Sequence, residues 1–440
     1  MLFRHRNAKI HRLYKEKLGL KELIAIGVGG MIGGGIFSVL GIAVGLAGNG
    51  APISFLIDML IALAAGYHYV KLCLTFRDDG ASYTYLKRAF PDKLFISSIE
   101  GWVVILGYIG TLALYSFTFG AYGADLLGYP SSNLVRMVLS VLVLLFFYYV
   151  NVKGVRSSGV TEDIIVYVKI LILSLFAVIG IARVDVHRFV PLMNKGVLPV
   201  FLGAAVIFVA YEGFQLITNA VAETENPDRD IPRGIYGSIM ITGLIYFLLA
   251  VIAVGTLSYH QIVTAKEYAL AMVAQPVLGV FGRVLIGIAA LMATSSAINS
   301  TMFGASRMMA EMGEQGIMPK FLSKRNKKLV PVAALTVLFI LSLLFSMLGS
   351  LSIIAEFSSL TFLMVSIGVS IANIKLKEKT HAHKGIALAG LILMAITSTT
   401  IIGYLLKTNP QEILVIFGLY VSVSVVAVTY MSKPFEIRQQ

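Results

Sequence analysis

Charge and cysteine are both scarce in this chain, and each scarcity excludes something. Only 13% of the 440 residues are charged, against about 25% in an ordinary soluble domain, so a soluble globular protein is excluded. The single cysteine, Cys73, rules out an intramolecular disulfide and carries no message about redox compartment. The first twenty residues are basic and polar with no apolar core, so no cleavable signal peptide is expected. No catalytic triad, metal-ligand cluster or phosphate loop is present, and Gly27-x-Gly29 has no strand before it, as a dinucleotide fingerprint would require. Enzyme chemistry therefore has no foothold here.

What is there is hydrophobic: 57% of the residues. Apolar runs of about 20 residues are long enough to cross a bilayer. They fall at 22–46, 52–76, 95–124, 132–151, 160–183, 197–222, 235–257, 281–308, 329–348, 350–374, 385–406 and 411–431. Twelve spans put both termini on one side. Of the 36 Lys and Arg residues, 28 fall in segments on the side of the N-terminus, seven fall opposite, and Lys169 belongs to neither. The positive-inside rule then expects cytoplasmic termini in a multi-pass protein of the cell membrane. The net charge of +13 is a signal for anionic lipid, not for nucleic acid.

Two spans are interrupted. Span 1 carries Gly33, Gly34 and Gly35 together near its middle, and glycine costs roughly 1 kcal/mol per helical residue against alanine. Span 6 reads Phe208-Val209-Ala210-Tyr211-Glu212-Gly213-Phe214, with a carboxylate and a glycine in mid-span. Each interrupted span opens a run of five, so the second run is inverted relative to the first. Matched breaks in two inverted halves point to a transporter binding site at the bilayer midplane. At ~1.5 Å per residue, Gly33, Lys169, Tyr211 and Ser295 all lie roughly 14–20 Å from their inner span ends, near the middle of a ~30 Å core.

The residues allow more than one reading. An ammonium at mid-span costs about 2.5–3.5 kcal/mol on insertion scales, so Lys169 either exchanges a proton or stays bonded to backbone carbonyls. Gly33–Gly35 form either a helix-packing surface or an unwound site whose N–H groups hold an anion. Glu212 binds a substrate amine, relays protons or steadies the broken backbone, while Phe208 and Tyr211 line or gate the pocket. Thr294-Ser295-Ser296 offers hydroxyls at the same depth. Asp58, His68, Glu100 and Glu356 are further polar residues in or bordering spans, each expected to make a local bond. Loop 2–3, Arg77 to Leu94, is expected to be polar, and the segment from Ser258 to Gly282 is expected to lie across the outer mouth.

At this point the sequence resembles the amino acid–polyamine–organocation (APC) transporters, most closely the proton-coupled ApcT-type amino acid transporters. The resemblance rests on Met31-Ile32-Gly33-Gly34-Gly35-Ile36-Phe37, on the span 6 break, on Glu223-x-x-Asn226-Pro227-x-x-x-Ile231-Pro232-Arg233, and on Gly313-Glu314-Gln315-Gly316-Ile317-Met318-Pro319. It implies an all-α LeuT-type fold: a first five-helix repeat at 22–183, a second, inverted one at 197–374, and peripheral spans 11 and 12 at 385–431. Residues 1–21 and 432–440 would be cytoplasmic. It also implies that the substrate carboxylate sits at Ile32, Gly33, Gly34 and Gly35, and the amine at the carbonyls of Phe208 to Tyr211, Ala210 among them. Lys169 would stand in for a sodium ion, bonding the Gly29 carbonyl and the Ser295 hydroxyl. Two departures are Arg77-Asp78-Asp79, where many members have a proline and small residues, and Lys71, where many have a glutamate. The expectation is a secondary amino acid transporter, proton-coupled through Lys169 or else a proton-independent exchanger. It would need no cofactor and no sodium, and would work as a monomer.

Overall fold

The computed structural model describes residues 18–77, 82–154 and 159–432. Among them there is no strand, only a parallel bridge between Leu18 and Thr224, and the chain is helical nearly throughout. In chain order the helices are α1 (Leu20–Met31), α2 (Gly35–Ala47), α3 (Ala51–Phe76), α4 (Ser82–Ala89), α5 (Leu94–Leu126), α6 (Asn133–Val152) and α7 (Gly159–Ile181). There follow α8 (Val197–Ile207), α9 (Pro227–Thr256), α10 (Ala269–Glu314), α11 (Val332–Leu348), α12 (Leu351–Lys375), α13 (Lys384–Thr408) and α14 (Pro410–Ser432). Ten helical stretches in the described residues are long and apolar enough to cross a membrane, so the chain is a multi-pass membrane protein.

Local chemistry sets where these helices start and stop. The Glu22 carboxylate accepts from Gly19 N at 2.9 Å, and Pro52 opens α3 where its missing N–H costs nothing. Ser132 and Ser350 cap α6 and α12 by accepting from Val135 N and Ile353 N. Asn226-Pro227 starts α9 well before the expected residue 235, with Asp228 and Asp230 in its first turn beside the positive helix end. The Arg229 guanidinium beside Asp230 holds that carboxyl below the usual carboxylate range. Arg77 closes α3 in the left-handed conformation and reaches both Asp228 carboxylate oxygens at 2.8 Å. Both side chains are more than half exposed, so the pair is worth at most about 1 kcal/mol.

Two expectations about connections change. Loop 2–3 is not all loop. Residues 82–89 form α4, with Tyr83, Tyr85, Leu86 and Ala89 buried against the bundle. The segment after α9 folds into a short helix, Tyr259–Thr264, a 3₁₀ turn, Lys266–Tyr268, and the first arm of α10. That arm meets the rest of α10 at a kink at Gly279, whose φ is 68°.

The helices divide into an inner and an outer set. In the apolar stretch of α5, 83% of residues are buried, against 22% in that of Pro410–Met431. Leu142 and Phe146 of α6, Leu171 and Val178 of α7, and Leu414 and Val421 of α14 point outward, as a surface facing hydrocarbon requires. α5 is the central post, and its small residues let three neighbouring helices close in. A Cβ on Gly101 would meet Met312, one on Gly107 would meet Phe362, one on Gly110 would meet Ser358, and one on Gly120 would meet the Arg136 backbone. Backbone cannot yield as a side chain can. Gly120→Leu is therefore expected to cost about 1–3 kcal/mol and to lower the melting temperature of the purified protein. Gly403→Leu, with nothing near its Cβ, should leave it unchanged. Equal melting of the two variants would overturn this assignment of the α5–α6 contact.

Candidate functional site

The two interrupted spans break where glycine leaves the helix weakest. α1 ends at Met31, Ile32 to Gly34 form a turn, and α2 restarts at Gly35. α8 ends at Ile207 and gives way to a 3₁₀ turn at Phe208–Ala210 and a further turn. A second 3₁₀ segment, Phe214–Ala220, then replaces the expected α-helix. The breaks touch through their main chains at two levels. A Cβ on Gly35 would lie 2.9 Å from Ala210 Cα, and one on Gly213, whose φ is 131°, would lie 2.7 Å from Met31 N. Only glycine allows that approach.

Breaking a helix frees backbone groups that must be bonded elsewhere. The Tyr246 hydroxyl of α9 lies 2.7 Å from Met31 O and 3.2 Å from Ala210 O, one carbonyl from each break. Ser359 of α12 donates to Val206 O at 2.6 Å and accepts from Val209 N at 2.9 Å. Lys169 of α7 is 1% exposed and donates to Gly29 O at 2.9 Å. Gly213 N donates to Gln215 Oε1, and Gln215 Nε2 donates to Glu212. The Glu212 carboxylate is thus fixed by its own turn.

A cavity of about 210 Å³ opens beside the breaks, on the side from which α1 enters. Its walls include Gly29, Gly30, Glu212, Tyr108, Ser296 and Ser300. Ile32, Gly33, Gly34, Gly35, Phe208, Ala210 and Tyr211 are all buried and lie outside the cavity wall. The Tyr115 ring lies against Gly33 and Gly34, and Ala210 lies against Gly35. Gly29 and Lys169 are brought together. Ser295 is half-buried on α10, and its neighbour Ser296, with Ser300 one turn on, faces the cavity. Thr294 spends its hydroxyl on Ala290 O of its own helix. Val166, one turn before Lys169, packs under Gly29.

The opposite mouth is shut. The Lys266 backbone packs on Gly41 of α2. Lys195 Nζ donates to Gly45 O at 2.6 Å and lies 2.7 Å from the Tyr259 hydroxyl. Arg283 pairs with Asp125. Sequence reasoning missed Tyr115, Tyr246, Ser359 and Gln215. Gln215, two residues beyond the span 6 glycine, carried a signal. The other three are hydroxyls in largely apolar spans, where such groups commonly bond their own helix, and carried none.

The amino acid permease family matches residues 18–433. An uncharacterised protein of Methanocaldococcus jannaschii is 29% identical, covering 95% of this chain and 96% of its own length. Inner membrane transport protein YbaT of Escherichia coli is 26% identical over 92% of this chain and 94% of its own. Branched-chain amino acid permease BcaP of Bacillus subtilis is 27% identical over 83% and 82%.

The contact of Tyr115 with Gly34 can be tested by a double-mutant cycle. Gly34→Ala places a methyl into the Tyr115 ring and should cost roughly 1–3 kcal/mol, read as a lower melting temperature. Combined with Tyr115→Leu, most of that loss should return. Strict additivity of the two changes would show that the ring does not rest on the break.

Proposed function

We propose a mechanism that proceeds from one premise: the chain belongs to the amino acid permease family, whose members are transporters and not enzymes. It is a secondary active importer of amino acids in the cell membrane, working by alternating access and coupled to protons through Lys169. It has twelve spans in a LeuT-type five-plus-five inverted repeat, residues 22–183 and 197–374, with α13 and α14 peripheral and both termini cytoplasmic. The cavity beside Gly29 and Glu212 then opens to the cytoplasm, and the conformation described is inward-facing.

The observation that carries this reading is the 2.9 Å bond from Lys169 to the Gly29 carbonyl at the edge of the cavity. A buried ammonium is tolerated only when bonded, and this one is bonded to the last turn of a broken helix. With Lys169 protonated, α1 is braced against α7. Loss of the proton removes the charge-assisted bond, frees α1 and favours release of substrate to the cytoplasm. A charge-assisted bond is worth about 1.5–3 kcal/mol, enough to shift a two-state equilibrium by more than tenfold. Sodium is not needed, since Lys169 supplies the positive charge.

When the outer side opens, the N–H groups at Gly33 to Gly35, at the positive end of α2, take the substrate carboxylate. The turn carbonyls of Phe208 to Tyr211 take the amine. Glu212, held by Gln215 and facing the cavity, lies on the inner exit path. The other residues named at the two breaks are apolar or aromatic, which favours neutral amino acids, and the permease of branched-chain amino acids among the relatives is consistent with that. A proton-independent exchanger on the same scaffold, with Lys169 purely structural, is the alternative.

Proteoliposomes holding the full chain, free of sodium, separate the two. Uptake from a panel of amino acids should rise with an inward proton gradient, and Lys169→Ala should abolish that gradient dependence, a loss of at least about tenfold in accumulation. Counterflow that ignores the gradient, or Lys169→Ala liposomes that keep it, would replace symport by exchange. No uptake of any amino acid would overturn the reading as a whole.

A further inference from the structure

Asp58 of α3 lies outside the cavity wall and outside the roles given above. It is fully buried, and neither carboxylate oxygen has a hydrogen-bond partner. Phe55, one turn earlier on the same face, is in the middle of the brace between the breaks. Its carbonyl accepts from the Tyr211 hydroxyl at 2.9 Å, and its ring meets Tyr246 edge-on at 5.9 Å. Tyr211 also meets Tyr246 edge-on, at 5.3 Å. Tyr211 and Tyr246 thus meet the face of α3 that carries Phe55 and Asp58.

Among the described residues, helices α2 and α8, packed on α3, contain no titratable residue, and those of α13, which also packs on α3, are Lys384, Tyr404 and Lys407 at its two ends. α9 brings Tyr246 to this face of α3, and the span 6 turn brings Tyr211. Glu356 of α12 interacts with Glu412 and Lys266. On α3 itself, His68 is bonded to Asn373, and Lys71 reaches His381 O at the far end.

An ionised carboxylate buried without a partner costs several kcal/mol, so Asp58 carries a proton in this conformation. A hydroxyl has one proton to give, and both tyrosines have committed theirs to carbonyls: Tyr211 to Phe55 O, Tyr246 to the breaks. When the breaks part, Met31 O and Ala210 O leave Tyr246, and its hydroxyl needs a new acceptor. We propose that Asp58 is a second proton-binding site, protonated while Tyr211 and Tyr246 brace the two breaks and ionised when the breaks part and those hydroxyls turn to it. Asp58 then releases its proton to the water that enters, and the tyrosines keep theirs. This rests on the reading that the breaks move between two states.

The test uses the purified full-length chain with no substrate added, so a failed uptake panel leaves it intact. Infrared spectra of wild type, Asp58→Asn and Tyr246→Phe are recorded across a pH series. Wild type should show the carbonyl stretch of a protonated carboxyl that Asp58→Asn lacks, and this band should vanish as pH rises. In Tyr246→Phe, where one donor to the ionised form is gone, the band should persist about one pH unit or more higher. If Asp58→Asn fails to fold, Asp58→Glu should move the band instead. Spectra that coincide between wild type and the Asp58 variants at every pH would overturn the proposal. So would a band that ignores pH in wild type and in Tyr246→Phe alike, which would make Asp58 a permanently neutral structural group.

Discussion

A helix that stops in mid-membrane must bond every main-chain group it sets free, because hydrocarbon offers no water to take them. Everything else in this fold answers that constraint. Two helices stop, at Met31 and Ile207, and three side chains from three other helices meet the freed groups. Tyr246 serves a carbonyl of each break, Ser359 serves one carbonyl and one N–H of the second, and Lys169 serves the last turn of the first. The breaks are therefore not loose turns. They are held by α7, α9 and α12, and a shift of any of these three helices reaches the site through a hydrogen bond.

Glycine makes this arrangement possible by letting the breaks meet backbone to backbone, at Gly35 against Ala210 and at Gly213 against Gly30 and Met31. Contact of this kind involves few side-chain rotamers. It has little conformational entropy to lose on closing, and little buried apolar area to hold it shut. Such a junction opens and closes at small cost, which suits the alternating access proposed above.

The breaks were legible in the sequence because both disrupt an apolar run with residues that have no other reason to be there: three consecutive glycines, and Glu212-Gly213. Lys169 was legible for the same reason, since an ammonium in the middle of a span stands out against Ile and Leu. Its partner Gly29 came from the resemblance, and the two lie within bonding distance. The partners of the breaks were not legible. Tyr246 stands in Leu-Ile-Tyr-Phe-Leu and Ser359 in Phe-Ser-Ser-Leu-Thr, and hydroxyls in a membrane helix commonly bond their own backbone, so nothing marks one that reaches elsewhere. Helix α4 was missed because eight residues between Asp78-Asp79-Gly80 and Pro91-Asp92 in the sequence are too short to display a helical period. Asp58 was seen and expected to make a local bond. It makes none, and only the fold could show that.

The two sides of the molecule are built from different interactions, and that difference bears on how it can switch. The closed mouth is sealed by main-chain packing of Lys266 on Gly41 and by Lys195 bonded to Gly45 and Tyr259, bonds that water can replace. Each such bond, charge-assisted but exposed, is worth at most about 1.5–3 kcal/mol net. A seal of a few of them can be matched by an equal number formed on the other side, which keeps two states within the few kcal/mol that let both be populated. A large apolar interface at the mouth would hold one state too firmly for a proton or a small substrate to move. The charges inside are arranged differently. Lys169 is tied to α1 below the break, and Asp58 shares a face of α3 with Phe55, which meets the tyrosines that brace both breaks. On the two proposals above, moving the breaks changes the bonding of one cationic and one acidic group at once, and protonation biases which mouth is open without any charge having to cross the seal itself.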